Sequence, residues 1–182
     1  IEIDTGTIKS FLKDGYVAFV VGAKHNTKAL PEEKIIDICK KLDYPLVLLG
    51  GPADHERGEK VFDAVRDDIV NLCGKFDINI SASLIRQAKV VITHDTGLMH
   101  IAAAFNKNII SVWGNTVPEF GMSPYLPEGK GRSEILEVKG LSCRPCSKIG
   151  FDKCPKGHFK CMMEIDEDEV VRKVKEMMEE QN

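Results

Sequence analysis

Five short apolar runs, the first four each followed by a stretch with helical spacing, constrain this chain more than anything else in it. YVAFVV (16–21), PLVLLGG (45–51), IVNLCG (69–74), KVVITH (89–94) and NIISVWG (108–114) show little alternation of apolar and polar residues. A strand with one wet face alternates; a run that is apolar throughout belongs in a sheet covered on both faces. The intervening segments read as helices. Pro31 takes a first helical position in 31–42, where Ile35, Ile36, Cys39 and Leu42 share a face. Val61, Phe62 and Val65 turn inward from 55–67. A short helix over 81–88 is expected to be capped by Ser81, and 97–105 is a helix of small residues. A sixth strand is expected at 134–138. The final helix, 166–180, opens on Asp166 and Glu169 in capping-box spacing, with Val170, Val171, Val174, Met177 and Met178 as its inner stripe. Right-handed crossovers between such units predict an α/β fold, a Rossmann-like doubly wound parallel sheet.

The bulk properties agree. A chain of 182 residues is long enough for one domain with a real core, and 43% hydrophobic with 29% charged residues is a globular composition. A net charge of −3 offers no basic patch for nucleic acid. No run approaches the ~18 apolar residues of a membrane span, and no signal-peptide pattern is present. Cys39 and Cys73 stand alone in apolar surroundings and read as core thiols. A chain this rich in core residues does not need disulfides, which favours a reducing compartment.

Loops that follow strands converge on the carboxyl edge of such a sheet, where these folds bind ligands. One of them begins THDTGLMHIAAAF (93–105). Asp95 and Thr96 end a strand, Gly97 lets a ligand approach the backbone, and the helix that follows aims its free N–H groups and positive dipole end at the edge. This suits a phosphate or diphosphate, with His100 one turn in. A plain helix cap by Asp95 or Thr96 competes. An aspartic-protease loop fits worst, because those carboxylates work as pairs in β-rich folds. The loop after the first strand offers Lys24, His25 and Lys28, and a lysine neutralises phosphate as a point charge. LLGGPADHE (48–56) offers close backbone approach at Gly50 and Gly51, and Asp54 or Glu56 as partners for sugar hydroxyls. The Gly- and Pro-rich stretch 114–133 belongs to the same edge.

Lys28-x-x-Pro31, LLGGPADHE, SLIRQAKVVITHDTGLMHIAAAF and the GNTVPE loop together resemble the carboxyl-terminal half of family 9 glycosyltransferases. These are the heptosyltransferases of lipopolysaccharide core synthesis and their relatives. The resemblance runs from about residue 15 to the end. It implies the carboxyl-terminal half of a GT-B glycosyltransferase, with residues 1–14 as an interdomain segment and 15–182 as the nucleotide-sugar domain. It further implies inverting, metal-independent transfer from a nucleotide-diphosphate sugar, ADP-heptose, to a lipid-linked saccharide acceptor. The acceptor and the catalytic base belong to an amino-terminal domain, so this chain alone is expected to bind donor without transferring sugar. Carried over by position, Lys28 meets the diphosphate or sugar, Asp95 the sugar, and Thr96, Gly97 and Leu98 the diphosphate, with His100 beside them. Gly51, Asp54 and Glu56 match the donor side more loosely, and Gly22 and Ala23 stand where relatives often carry hydroxyls. The implied location is cytoplasmic, at the inner face of a bacterial inner membrane. Another nucleotide sugar, such as a UDP-sugar, and a non-enzymatic zinc-structured binding module are the alternatives.

A cysteine-rich loop, 141–163, precedes the last helix. Cys143, Cys146, Cys154 and Cys161 are spaced so that a structural zinc site, reduced packed thiols and oxidised pairs all remain open.

Overall fold

A computed structural model describes residues 15–180, so the expected interdomain segment 1–14 lies outside the described residues. Six parallel strands form one sheet: β1 Val17–Val20, β2 Leu46–Leu49, β3 Ile69–Asn71, β4 Val90–His94, β5 Asn108–Trp113 and β6 Ser133–Glu137. Their spatial order is β3-β2-β1-β4-β5-β6. The direction of winding reverses between β1 and β4, which opens a crevice at their carboxyl ends. The register pairs Val17 with both Leu46 and Val90, so β1 is the central strand beside that crevice.

Helices cover both faces, as the continuous apolar runs require. Helices α1 (Glu32–Lys41) and α2 (His55–Val65) pack against each other on one face, and the last helix, α6 (Glu167–Glu179), packs against α1. Helices α3 (Ile78–Gln87) and α4 (Gly97–Ala104) pack together on the other. Successive residues of β1 divide between the two cores. Val17, Phe19 and Val21 join Ile35, Ile38 and Val170 in one cluster. Ala18 and Val20 join Leu84, Ile85, Met99 and Ala102 in the other. Each fully buried aliphatic side chain contributes ~1.5–3 kcal/mol relative to exposure, so β1 anchors both layers.

Ser81 is not the cap of α3. The helix begins three residues earlier, and Asp77 caps it by accepting the N–H groups of Asn79 (2.9 Å) and Ile80 (3.0 Å). A carboxylate at Asp77 satisfies two orphan donors at once, and Ile80 extends the apolar face back toward it. Ser81 lies inside the first turn and donates its hydroxyl to the Asp77 carbonyl at 3.0 Å. The last helix does begin with Asp166, which accepts from the N–H groups of Asp168 and Glu169. A one-turn helix, α5 (Lys160–Met163), lies inside the cysteine-rich loop and was not foreseeable from periodicity at that length.

Replacing Asp77 with Ala should lower the stability of the chain by ~1 kcal/mol through loss of the cap. Ser81→Ala should change it by less than about half of that. Urea denaturation of both variants reads this as a displaced midpoint at unchanged slope; equal displacement would mean that the cap has been misplaced.

Candidate functional site

Asp95 and Thr96 fill the turn between β4 and α4. Thr96 is extended and caps the helix, its hydroxyl accepting the N–H of Met99 at 3.4 Å. The plain-cap reading is therefore correct for Thr96, and Asp95 is left for other work. Asp95 is 7% exposed. Its Oδ2 takes Lys28 Nζ at 2.7 Å and the Thr116 hydroxyl at 3.0 Å. Its Oδ1 accepts no hydrogen bond among the described residues. A carboxylate has about four lone-pair sites, so this half is available to a hydroxyl-bearing ligand. The N–H groups of Gly97 and Leu98 likewise find no acceptor among the described residues. Gly97 has an ordinary negative-φ backbone, and a Cβ built on it meets nothing within 4 Å. The fold itself does not demand glycine there; the space above it is open.

Lys28 reaches Asp95 because the loop between β1 and α1 is pinned from below. His94, the last residue of β4, is fully buried, and its Nε2 accepts the N–H of Leu30 at 3.0 Å. This requires the tautomer with the proton on Nδ1. Burial, and then the nearby Arg57 charge, push its pKa down to about 3. The Gly22 carbonyl opposes the shift, but it is too poorly placed to serve as a hydrogen-bond partner for Nδ1. His94 is thus a neutral imidazole at physiological pH. Thr27, next to Lys28, is clamped by the cysteine-rich loop. Its hydroxyl donates to the Phe151 carbonyl at 2.9 Å and accepts the Phe151 N–H at 2.8 Å.

The loop after β2 is organised by Asp54. Its Oδ2 accepts the Gly51 N–H at 2.8 Å, and its carboxylate packs on Gly22. A Cβ at Gly22 would stand 1.9 Å from Asp54 Oδ1. The absence of a side chain after β1 is therefore what lets Asp54 lie over the end of that strand. Glu56 behaves differently. It lies in the first turn of α2, its side chain is 84% exposed, and it pairs with Lys60 at 3.3 Å. The structure does not bring it to the Lys28–Asp95 pair. His100 is exposed on α4 and Leu98 is half-buried in its first turn.

Three residues outside the expected set shape the edge: His94, Arg57 and Arg144. Arg57, in α2, donates from Nη1 to the Val21 carbonyl at 3.1 Å. Arg144 is nearly buried and pairs with Glu137 at 2.7 Å. It also donates to the carbonyls of Gly114, Val138 and Thr116, tying the turn after β5 to the end of β6. No spacing rule could flag these arginines, because their partners lie far along the chain.

The four clustered thiols are free. Among the described residues, no three His, Cys, Asp or Glu side chains stand where they could hold a metal ion. Against the raising effect of burial, the N–H groups of Phe159, Lys156, Gly157 and His158 draw the Cys154 thiol below its ordinary value. Burial pushes Cys161 up to about 11. Cys39 and Cys73 are core thiols as expected, both pushed up to about 12 by burial.

Fold and edge geometry together define a Rossmann-like α/β domain whose switch-point crevice is lined by a lysine–aspartate pair and a helix start. The chain belongs to glycosyltransferase family 9 (heptosyltransferase), whose family pattern matches residues 3–150. It is 28% identical over 149 residues to lipooligosaccharide heptosyltransferase 2 of Haemophilus influenzae, a match covering 80% of this chain and 41% of that protein. It is 31% identical over 112 residues to lipopolysaccharide heptosyltransferase 2 of Escherichia coli, covering 57% of this chain and 32% of the other. The chain thus spans less than half the length of these relatives. The solved E. coli ADP-heptose LPS heptosyltransferase II superposes with a TM-score of 0.72 at 21% identity, over 100% of this chain and 54% of that one. A family 9 glycosyltransferase from Veillonella parvula gives 0.73 at 21%, over 96% and 50%. At such identities the two structures establish the fold.

His94 makes stability depend on pH. Its folded pKa lies below the ordinary 6.5, so the unfolded chain takes up the proton first as pH falls. Its contribution is complete above pH 6.5 and is lost between there and about pH 3, at about 1.4 kcal/mol per pH unit. His94→Asn should lose stability less steeply than the parent from pH 6.5 to 4. Parallel slopes in thermal unfolding across that window would show that the imidazole is not held neutral.

Proposed function

We propose that this chain is the donor-binding domain of an inverting glycosyltransferase. It takes heptose from ADP-heptose for delivery to a lipopolysaccharide-core acceptor. The observation that carries this reading is the division of labour at Asp95. One carboxylate oxygen is committed to Lys28 and Thr116, and the other is open beside the unsatisfied N–H groups of Gly97 and Leu98. An acceptor of hydroxyls beside donors for an anion matches a sugar joined to a diphosphate. Family membership and the named activities of the relatives point the same way.

The chemistry follows from charge. As the bond from sugar to diphosphate breaks, negative charge grows on the leaving group. Lys28 and the start of α4 offer fixed positive charge and N–H donors to that group without a metal. Asp95 holds the sugar by its hydroxyls. The acceptor hydroxyl must be deprotonated from the opposite face of the sugar, and that base is assigned to an acceptor-binding domain outside this chain. Closure of the two domains aligns donor with acceptor and excludes water. On this reading the chain by itself binds donor and transfers nothing. The work takes place at the cytoplasmic face of the inner membrane, where the lipid-linked acceptor lies. No helix among the described residues is long and apolar enough to cross a membrane.

Calorimetric titration with ADP, UDP and GDP tests the reading. The expected result is selective ADP binding, weakened roughly tenfold or more in Lys28→Met, the effect of losing one charge-assisted contact. Preference for UDP would keep the site and change the sugar nucleotide. Absence of binding to all three would sink the donor reading, and heptosyl transfer by the isolated chain would sink the division of roles between domains. Removing Lys28 also strands a buried carboxylate, so thermal unfolding of the variant accompanies the titration.

A further inference from the structure

We infer that Arg57 is a second cation for the donor diphosphate, acting from the β2 side of the crevice opposite the start of α4. This rests on the donor-site reading above. Of the two lysines in the loop after β1, Lys24 is exposed and Lys28 is already spoken for: its ammonium stands 2.7 Å from Asp95 Oδ2, and both side chains of that pair are almost buried. The pair is neutral overall, so Asp95 offsets part of the attraction that Lys28 offers an anion. A nucleoside diphosphate brings at least two negative charges, and helix N-termini offer only partial ones.

Arg57 is the guanidinium with charge to spare at this edge. It is half-buried, with Nη1 fixed on the Val21 carbonyl at the end of β1. Among the described residues it forms no ion pair. Asp54 lies close by against Gly22, but its Oδ2 is held by the Gly51 N–H and no salt bridge joins it to Arg57. After burial, the Arg57 charge is the next cause that lowers the His94 pKa, in keeping with a guanidinium near the ends of both β1 and β4. A guanidinium has five N–H donors in a fixed fork. One anchors to backbone, which holds the group in place and leaves the rest for phosphate oxygens, a geometry that arginine serves better than lysine. The diphosphate then bridges from Gly97 and Leu98, over the end of β1, to Arg57.

Arg57→Gln and Arg57→Lys in the full 182-residue chain test this. Each is titrated with ADP, UDP and GDP, and with adenosine, uridine and guanosine, and its thermal unfolding is measured alongside. The expected outcome is a loss of about tenfold or more for the preferred diphosphate in Arg57→Gln, less than about twofold for its nucleoside, and partial recovery in Arg57→Lys. Unchanged diphosphate affinity overturns the proposal while leaving the donor site standing. Equal weakening of nucleoside and diphosphate overturns it too, since that marks Arg57 as a brace for the Val21 carbonyl alone. If the parent chain binds no nucleoside diphosphate, the donor reading fails and this inference goes with it.

Discussion

A buried ion pair between Lys28 and Asp95 governs the carboxyl edge of this domain. Asp95 is almost wholly removed from water, and a buried carboxylate without a partner is costly. Lys28 supplies that partner from the neighbouring crossover, so the two loops that flank the switch point are tied through their side chains. The preceding residue adds a second tie: His94 receives the Leu30 N–H. Two successive residues of one strand end thus grip a single loop at positions 28 and 30. Thr116 joins from the turn after β5 on the same Asp95 oxygen, which brings a third loop into the arrangement.

Much of this could be read from residues alone. The strands were legible because a two-sided sheet needs apolar runs, and such runs are visible without knowing what covers them. Lys28, Asp95, Thr96 and Gly97 were legible because the position directly after a strand fixes which end of the sheet a residue occupies. What escaped depends on distant partners. His94 bonds a residue 64 positions away, and Thr27 bonds one 124 positions away. Arg57 and Arg144 look like ordinary surface charge on a helix and in a loop until the carbonyls they meet are placed. Glu56 and Asp54 were equivalent by composition. The turn of α2 sends one outward to Lys60 and the other back over Gly22. The cap at Asp77 escaped because Ile78, the first residue of the helix, is 57% exposed and lies off the apolar face that marks it.

The cysteine-rich loop has a mechanical part that its spacing concealed. It runs beneath both ligand-side loops. Phe151 zips onto Thr27, the Cys146 N–H bonds the Asn115 carbonyl at 3.0 Å, and Arg144 braces the turn after β5. Cys161 and Met162 are buried in the same core cluster as α6. A loop of this length with only one turn of helix stays ordered only if its backbone groups find partners, and here several of those partners lie in the loops at the carboxyl edge.

Such bracing bears on the donor role proposed above because of how charge moves in sugar transfer. A leaving diphosphate gains charge only as the bond breaks, so groups that must reorient at that moment offset much of what they contribute. Donors already locked in place do not. The neutral, deeply buried His94 fixes the lysine loop without adding a competing charge. The Gly22–Asp54 contact fills the place where a side chain just after β1 would stand. The edge is therefore a preset surface: an open carboxylate oxygen on Asp95 and the open N–H groups of Gly97 and Leu98, with the loops beneath them held by contacts within the domain.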